Sequence, residues 1–128
     1  MDIEEMKGAV IDHIKYDDDR EELYFYMLDG RTFKMYHQQD CCERVYLEDV
    51  CGDFEDICNW PLHVAEERTV GGHQAKEGDE WFVPGRESYT WTFYEFATIK
   101  GSVTLRWYGS SNGYYSESVD IEEVDRWK

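Results

Sequence analysis

The sequence predicts a mainly β fold, an antiparallel sheet rolled into a small sandwich or barrel with one or two short helices. Runs rich in Val, Ile, Thr and aromatic residues recur along the chain, and they alternate apolar with polar residues. Turn signals such as Asp29-Gly30 separate these runs. The chain has 128 residues, of which 41% are hydrophobic. That is enough for one domain with a real core, and we treat residues 1–128 as that domain.

The first half of the chain contains four predicted strands. They are expected at 8–16, 23–28, 32–37 and 44–50. The Asp29-Gly30 pair predicts a hairpin, because a type I′ turn needs positive φ angles. Strand alternation places Phe33, Met35 and His37 on the more apolar face of their strand. A short helical turn is expected within 1–7, and a second short helix within 53–58.

The second half is dominated by residues 88–116, which we call the aromatic island. It holds nine of the 21 aromatic residues and sums to a charge of +1, in a chain of formal charge −16. Strands are expected at 62–66, 89–99, 103–108 and 114–121, with an irregular loop over 67–87 and a helical turn at the end. Within that loop, Trp81, Phe82 and Val83 are expected to fold back onto the body.

The acidity of the chain restricts its partners. Thirteen basic residues face 29 acidic ones, so ordinary binding to a nucleic-acid backbone is not expected. Two interpretations stay open, a solubilising surface and a surface that imitates a polyanion. The acidic first ten residues and the absence of a long apolar run predict neither a signal peptide nor membrane insertion. We therefore expect a cytoplasmic protein with four reduced cysteines.

The cysteines do not have the spacing of a metal site. Cys41 and Cys42 are adjacent, and Cys51 and Cys58 follow at gaps of nine and seven residues, whereas structural zinc sites use paired knuckles. A thiol hydrolase using His37, Asp40 and Cys41 is an alternative, but acids beside a thiol raise its pKa. We predict no metal, no cofactor and no catalytic residues.

The segment from Arg106 to Tyr115 is the strongest candidate for a binding site. A cation for phosphate, aromatic faces for a base and Ser/Asn side chains for ribose coincide there around a Gly-Ser-Ser-Asn-Gly turn. A plain Asn-Gly hairpin is the simpler alternative. The predicted ligand-binding residues are Arg106, Trp107, Tyr108, Ser110, Ser111, Asn112, Tyr114 and Tyr115, with His37 and Asp40 on the opposite wall.

Three runs give the chain a resemblance to known sequences. The runs QDCCE, WTFY and RWYGSSNGYYSE, within about residues 33 to 120, resemble a family of small uncharacterised bacteriophage and prophage proteins. The resemblance implies a viral origin and activity in the cytoplasm of an infected host. It carries over no catalytic residues.

Together these observations predict a phage counter-defence protein. It would sequester a nucleotide-derived immune signal, a cyclic ADP-ribose isomer or a cyclic oligonucleotide, without cleaving it. The first alternative is an acidic DNA mimic that inhibits a host nuclease or another defence protein, and the second is a small phosphodiesterase or thiol hydrolase. A homo-oligomer is expected, because a small sheet gains a deep pocket most simply between subunits.

Overall fold

The computed structural model describes residues 2–74, 76–85 and 88–128 and consists of two antiparallel four-stranded sheets. The strands are β1 (Ile11–Tyr16), β2 (Glu22–Met27), β3 (Thr32–Tyr36), β4 (Arg44–Cys51), β5 (Val64–Gly71), β6 (Ser88–Thr98), β7 (Gly101–Ser111) and β8 (Asp120–Val124). Short 3₁₀ helices lie at Ile3–Met6, Phe54–Ile57 and Gly72–Gln74. The predicted mainly β class is confirmed, and of its two forms the structure adopts the sandwich.

Strand order shows how the chain divides between the sheets. Sheet 1 has the order β1-β2-β3-β8, and sheet 2 has the order β4-β7-β6-β5. The chain therefore passes from sheet 1 to sheet 2 after β3 and returns after β7. Both crossings are made by loops, over 37–43 and 112–119.

The core lies between the inner faces of the two sheets. Phe25 of sheet 1 and Phe96 of sheet 2 meet there with ring centroids 5.4 Å apart. Strand alternation explains which side chains point inward, and β2 shows it most clearly, because half-buried and buried residues alternate along its whole length. The fully buried side chains include Leu23, Phe25, Met27, Met35, Leu47, Tyr94, Phe96, Val103, Leu105 and Trp107.

A second aromatic layer covers the outer face of sheet 2. Trp81 packs against Trp91 and Phe93, with ring centroids 5.8 and 4.8 Å apart. The indole Nε1 of Trp91 donates to the Trp81 carbonyl oxygen at 3.0 Å. The amide of Val83 donates to the Tyr89 hydroxyl at 3.1 Å. The predicted fold-back of Trp81 to Val83 is thus confirmed; residues 75, 86 and 87 of the predicted 67–87 loop lie outside the described residues.

The Asp29-Gly30 hairpin joins β2 and β3, as predicted, but with a different turn. Gly30 has a φ of +97°, while Asp29 is not in the positive region that a type I′ turn requires at both positions. The Gly30 amide instead donates to the Met27 carbonyl at 3.0 Å, and the Met27 amide donates to the Arg31 carbonyl at 2.8 Å. This is a longer loop in which the glycine forms the bulge.

Two predicted strands are misplaced. The strand predicted at 114–121 is a loop as far as residue 119, and Asp120–Val124, for which the sequence predicts a helical turn, form β8 against β3. The reason is that β7 continues through Ser111, inside the predicted turn. The chain therefore reverses later than predicted, and the next strand begins only at Asp120. The strand predicted at 62–66 continues to Gly71, because Val64–Gly71 pairs along β6. Among the described residues, no helix has the length and apolar character that crossing a membrane requires.

Candidate functional site

The two crossing loops meet at one end of the sandwich. His37, at the start of the 37–43 loop, places Nδ1 at 2.6 Å from the carbonyl oxygen of Ser118 in the 112–119 loop. The side chain of His37 is 4% exposed, whereas Ser118 lies at the surface. His37, predicted as the opposite wall, thus contacts the loop that follows the Gly-Ser-Ser-Asn-Gly turn.

The 37–43 loop is organised around the buried carboxylate of Glu43, whose side chain is 0% exposed. Its Oε2 accepts from Nε2 of His37 at 2.8 Å and from the Asp40 amide at 3.0 Å. Its Oε1 accepts from the Cys41 amide at 2.8 Å and from Nε2 of Gln39 at 3.2 Å. A carboxylate with this many donors can be held inside a protein without water.

The donors around Glu43 favour its charged form. The hydrogen bond from His37 is the main cause that lowers the pKa of Glu43 from 4.5 to about 2; burial opposes it, and the amides of Cys41 and Asp40 add to it. Both ring nitrogens of His37 lie at hydrogen-bond distance from other groups, the Glu43 carboxylate and the Ser118 carbonyl. His37 therefore joins the two loops, and both of its ring nitrogens are engaged within the protein.

A second buried carboxylate, Glu117, fixes the other loop. It accepts from the Thr90 hydroxyl at 2.8 Å and from the Ser111 hydroxyl at 2.6 Å. Its backbone folds closely over β7, where a Cβ built on Gly109 would lie 2.7 Å from the Glu117 carbonyl oxygen. Glycine at position 109 is therefore what allows the 112–119 loop to approach.

The backbone amides of the Gly-Ser-Ser-Asn-Gly turn are partly bonded to the turn's own side chains. The Gly113 amide donates to the Ser111 hydroxyl at 3.0 Å, and the Tyr114 amide donates to Oδ1 of Asn112 at 3.0 Å. Gly113 has a φ of +95°, which a tight turn of this kind requires. These two amides are thus already bonded, and a ligand at the turn would need other donors.

Arg106, the predicted phosphate-binding cation, has protein partners. Its guanidinium pairs with the Glu48 carboxylate and lies 3.6 Å from Oδ2 of Asp49. It also lies over the rings of Trp81 and Trp91, at 5.7 and 5.4 Å from their centroids. Arg106 therefore pairs with two carboxylates on the outer face of sheet 2, and its guanidinium packs against the aromatic layer.

Arg44 is the arginine that sequence reasoning missed. It is exposed, and its Cζ lies 4.5 Å from the centroid of the Tyr46 ring. In the β4–β7 register Arg44 is directly opposite Ser110, and Tyr46 is opposite Tyr108 with ring centroids 6.0 Å apart. Within the described ranges, no carboxylate lies at ion-pair distance from Arg44. Only the register between β4 and β7 places Arg44 beside Ser110, and the sequence does not reveal that register.

The remaining predicted site residues divide between three places. Trp107 is fully buried in the core on the inner face of sheet 2, whereas its neighbour Tyr108 is 7% exposed and on the outer face. Tyr114 is 89% exposed, Asn112 and Asp40 are exposed, and Tyr115 is half-buried. The structure brings Tyr108 and Ser110 together with Arg44 and Tyr46, and it separates Trp107 from them.

The sulfur chemistry differs from the expectation of four reduced thiols. Cys41 and Cys42 form a disulfide between adjacent residues, and Cys51 and Cys58 are free. The expectation of reduced thiols rests on the cellular compartment alone. Adjacent cysteines are always close, and the Cα atoms of Cys41 and Cys42 are 3.7 Å apart. The Cys51 thiol donates to Asp49 at 3.4 Å, and this bond is the main cause that raises its pKa. Neither Cys41 nor Cys51 is thus an activated nucleophile.

In the part of the chain that the structure describes, no three His, Cys, Asp or Glu side chains are arranged to hold a metal ion. The ring of His37 is held between the Glu43 carboxylate and the Ser118 carbonyl. What the outer surface offers instead is a cation, aromatic rings and hydroxyl groups.

Comparison with known proteins gives one result. No curated protein and no solved structure matches the chain. A protein-family model described as "Domain of unknown function (DUF7448)" matches residues 3–121, which is nearly the whole chain. The protein therefore belongs to the DUF7448 family.

Proposed function

We propose that this protein binds a nucleotide-derived small molecule and holds it without cleaving it. The site is the surface formed by Arg44, Tyr46, Tyr108 and Ser110, which we call the Arg44 surface. The observation that carries the proposal is Arg44 itself, an exposed guanidinium over a tyrosine ring, opposite Ser110 and without a carboxylate partner among the described residues.

Each group of the Arg44 surface has a role that suits such a ligand. A guanidinium binds phosphate through two parallel hydrogen bonds, and it is more available when no carboxylate competes for it. The half-buried Tyr46 ring offers a face on which a base stacks. The hydroxyl of Ser110 supplies a polar contact for ribose.

Retention without cleavage fits the surrounding chemistry. His37 is the histidine nearest to this surface in the chain, and both of its ring nitrogens are bonded to other groups. A ligand held between Arg44 and the tyrosines would meet no general base from it. The biological setting we propose is phage counter-defence in the host cytoplasm, with a cyclic ADP-ribose isomer or a cyclic oligonucleotide as the sequestered signal.

Isothermal titration against a panel of cyclic nucleotides and ADP-ribose isomers tests the proposal. We expect Arg44→Ala to weaken binding on the order of tenfold or more, because a charged hydrogen-bond donor to phosphate is lost. Arg44→Lys should recover part of the affinity, since the charge returns without the planar fork. Mass spectrometry of the ligand released after denaturation should recover it intact.

Arg68→Ala is the matched control for this experiment. Arg68 is exposed on the same face of sheet 2 and lies 4.4 Å from the Phe93 ring centroid, but on β5 rather than beside Ser110. Its removal should leave affinity unchanged. Absence of binding to every member of the panel, or equal losses in both variants, would overturn the proposal.

A further inference from the structure

The outer face of sheet 1 has an ordered pattern of charge that the proposed function does not use. Across the sheet, strand register places Lys15, Tyr24, Lys34 and Glu122 in one row. The next row on the same face contains Glu22, Tyr36 and Asp120. Lys15 therefore lies on the β1 edge, and Glu122 and Asp120 lie on the β8 edge. The two central strands between them carry two tyrosines, Lys34 and Glu22.

These side chains point away from the core, because their strand neighbours point into it. Leu23, Phe25 and Met35 are fully buried on the inner face. Lys15 and Glu122 are exposed, and Tyr24 and Tyr36 are half-buried. Lys15 has no carboxylate at ion-pair distance within the described part of its own chain.

The face is close to neutral in a strongly acidic protein. Its two rows carry two lysines and three carboxylates, against a formal charge of −16 for the chain. Lys34 is paired with Glu22 at 2.9 Å and lies 4.3 Å from the Tyr36 ring centroid. Two copies of this protein would therefore repel each other only weakly where these faces meet.

We propose that this face binds the same face of a second copy in a two-fold symmetric dimer. A rotation axis parallel to the strands lays β1 over β8 of the second copy, and β2 over its β3. Lys15 then faces Glu122 of the second copy in the same row, and Tyr24 faces its Lys34. The two-fold symmetry forms each of these contacts twice.

Self-association fits the charge pattern better than another partner. An anionic polymer would meet Glu122 and Asp120 at one edge, and a basic protein would meet Lys15 at the other. Only a surface with the opposite order of charges complements both edges, and the rotated copy has that order. Tyrosine is also enriched in the buried centres of protein interfaces.

The size of the face predicts a weak dimer. Four strands at about 4.8 Å spacing and about six residues at 3.4 Å each cover roughly 400 Å² per copy. Stable complexes bury about 800 Å² per partner. The dimer should therefore form in a concentration-dependent manner rather than permanently.

Sedimentation velocity over a series of protein concentrations tests this interface through a charge swap. Lys15→Glu and Glu122→Lys should each raise the dissociation constant of the dimer on the order of tenfold or more, because like charges then meet twice. An equimolar mixture of the two variants should dimerise again, since opposite charges then meet at both contacts between position 15 of one copy and position 122 of the other. The double variant should recover for the same reason.

Two controls change the net charge equally but lie off this face. Lys76→Glu and Glu95→Lys are at exposed positions, in the 72–85 segment and on the outer face of sheet 2, and should leave dimerisation unchanged. A wild-type protein that stays monomeric at every concentration would overturn the proposal. So would single variants that dimerise normally, or a mixture that does not recover.

Carbodiimide crosslinking provides a test that needs no variant. This reagent joins a lysine to a carboxylate only when they are in contact. In an equal mixture of ¹⁴N- and ¹⁵N-labelled wild-type protein, mass spectrometry should detect a Lys15–Glu122 crosslink between differently labelled chains. A covalent dimer fraction without that crosslink would contradict the interface.

Discussion

At the scale of single residues, Glu43 decides how the two crossing loops meet. Its carboxylate forms hydrogen bonds with His37, with Gln39 and with two backbone amides. His37 in turn contacts the carbonyl oxygen of Ser118 in the other loop. The sequence names His37 and Asp40 as wall residues but gives no reason to single out Glu43. In a chain with 29 acidic residues, burial of one of them is invisible until the fold is known.

The depressed pKa of Glu43 predicts a specific pH dependence of stability. The folded pKa is about 2, below the ordinary 4.5, so the stabilisation is fully present above about pH 4.5 and is lost as the pH falls toward 2. Glu43→Gln should lower the urea midpoint at pH 7, and the difference from wild type should shrink between about pH 5 and pH 2.

Urea unfolding at several pH values measures this difference, with Glu123→Gln as the control at an exposed glutamate of β8. That variant should follow the wild type. A Glu43→Gln curve that stays parallel to wild type across the acidic range would contradict the role assigned to the carboxylate.

At the scale of elements, the connection from β7 to β8 determines the shape of the candidate site. The strand β7 runs through Ser111, the loop folds back over Gly109, and Glu117 is tied to Ser111 and Thr90. The sequence predicts an earlier turn and a strand at 114–121, because Asn112-Gly113 is a strong local turn signal. The side-chain contacts of Glu117 are non-local and extend the loop to residue 119.

Gly109→Ala tests how closely this loop must approach β7. The added Cβ would lie 2.7 Å from the Glu117 carbonyl and 3.1 Å from Cγ2 of Val45, so the loop must move. We expect a loss of about 1–3 kcal/mol in the free energy of unfolding, which is typical of overpacking a closed contact. Urea denaturation measures it, with Ser102→Ala at an exposed position of the same strand as the control. A loss no larger than that of the control would contradict the close approach.

At the scale of the whole molecule, a charge of −16 opposes the compact state. Like charges even lie opposite each other, because Glu66 pairs with Glu95 across β5 and β6 and both are exposed. Such a pair costs stability in a sheet. The DNA-mimic hypothesis stays a prediction.

Screening should therefore stabilise the protein. Raising the salt concentration from about 0.01 M to about 0.15 M shortens the Debye length from about 30 Å to about 8 Å, which weakens repulsion between distant carboxylates more than attraction within close pairs. We expect the melting temperature to rise in this range. Scanning calorimetry of the Lys15→Glu variant at low concentration separates the effect from self-association. A melting temperature that falls or stays constant would contradict dominant self-repulsion.

Local alternation determined much of what the sequence revealed. Alternation alone places Tyr94 and Phe96 on the face of β6 opposite to Trp91 and Phe93. In the structure, Tyr94 and Phe96 are fully buried, while Trp91 and Phe93 pack against Trp81 on the outer face. The same rule places Trp107 with Leu105 in the core, which argues against Trp107 as a ligand residue. Period-two alternation depends only on neighbouring residues, so a sequence contains it completely.

The tertiary structure alone decided which strands share a sheet and which residues become neighbours across it. Arg44 meets Ser110, and His37 meets Ser118, although 66 and 81 residues separate them along the chain. The Lys15, Tyr24, Lys34 and Glu122 row spans all four strands of sheet 1. Such contacts depend on strand order and register, which are set by packing of the whole core rather than by any local pattern.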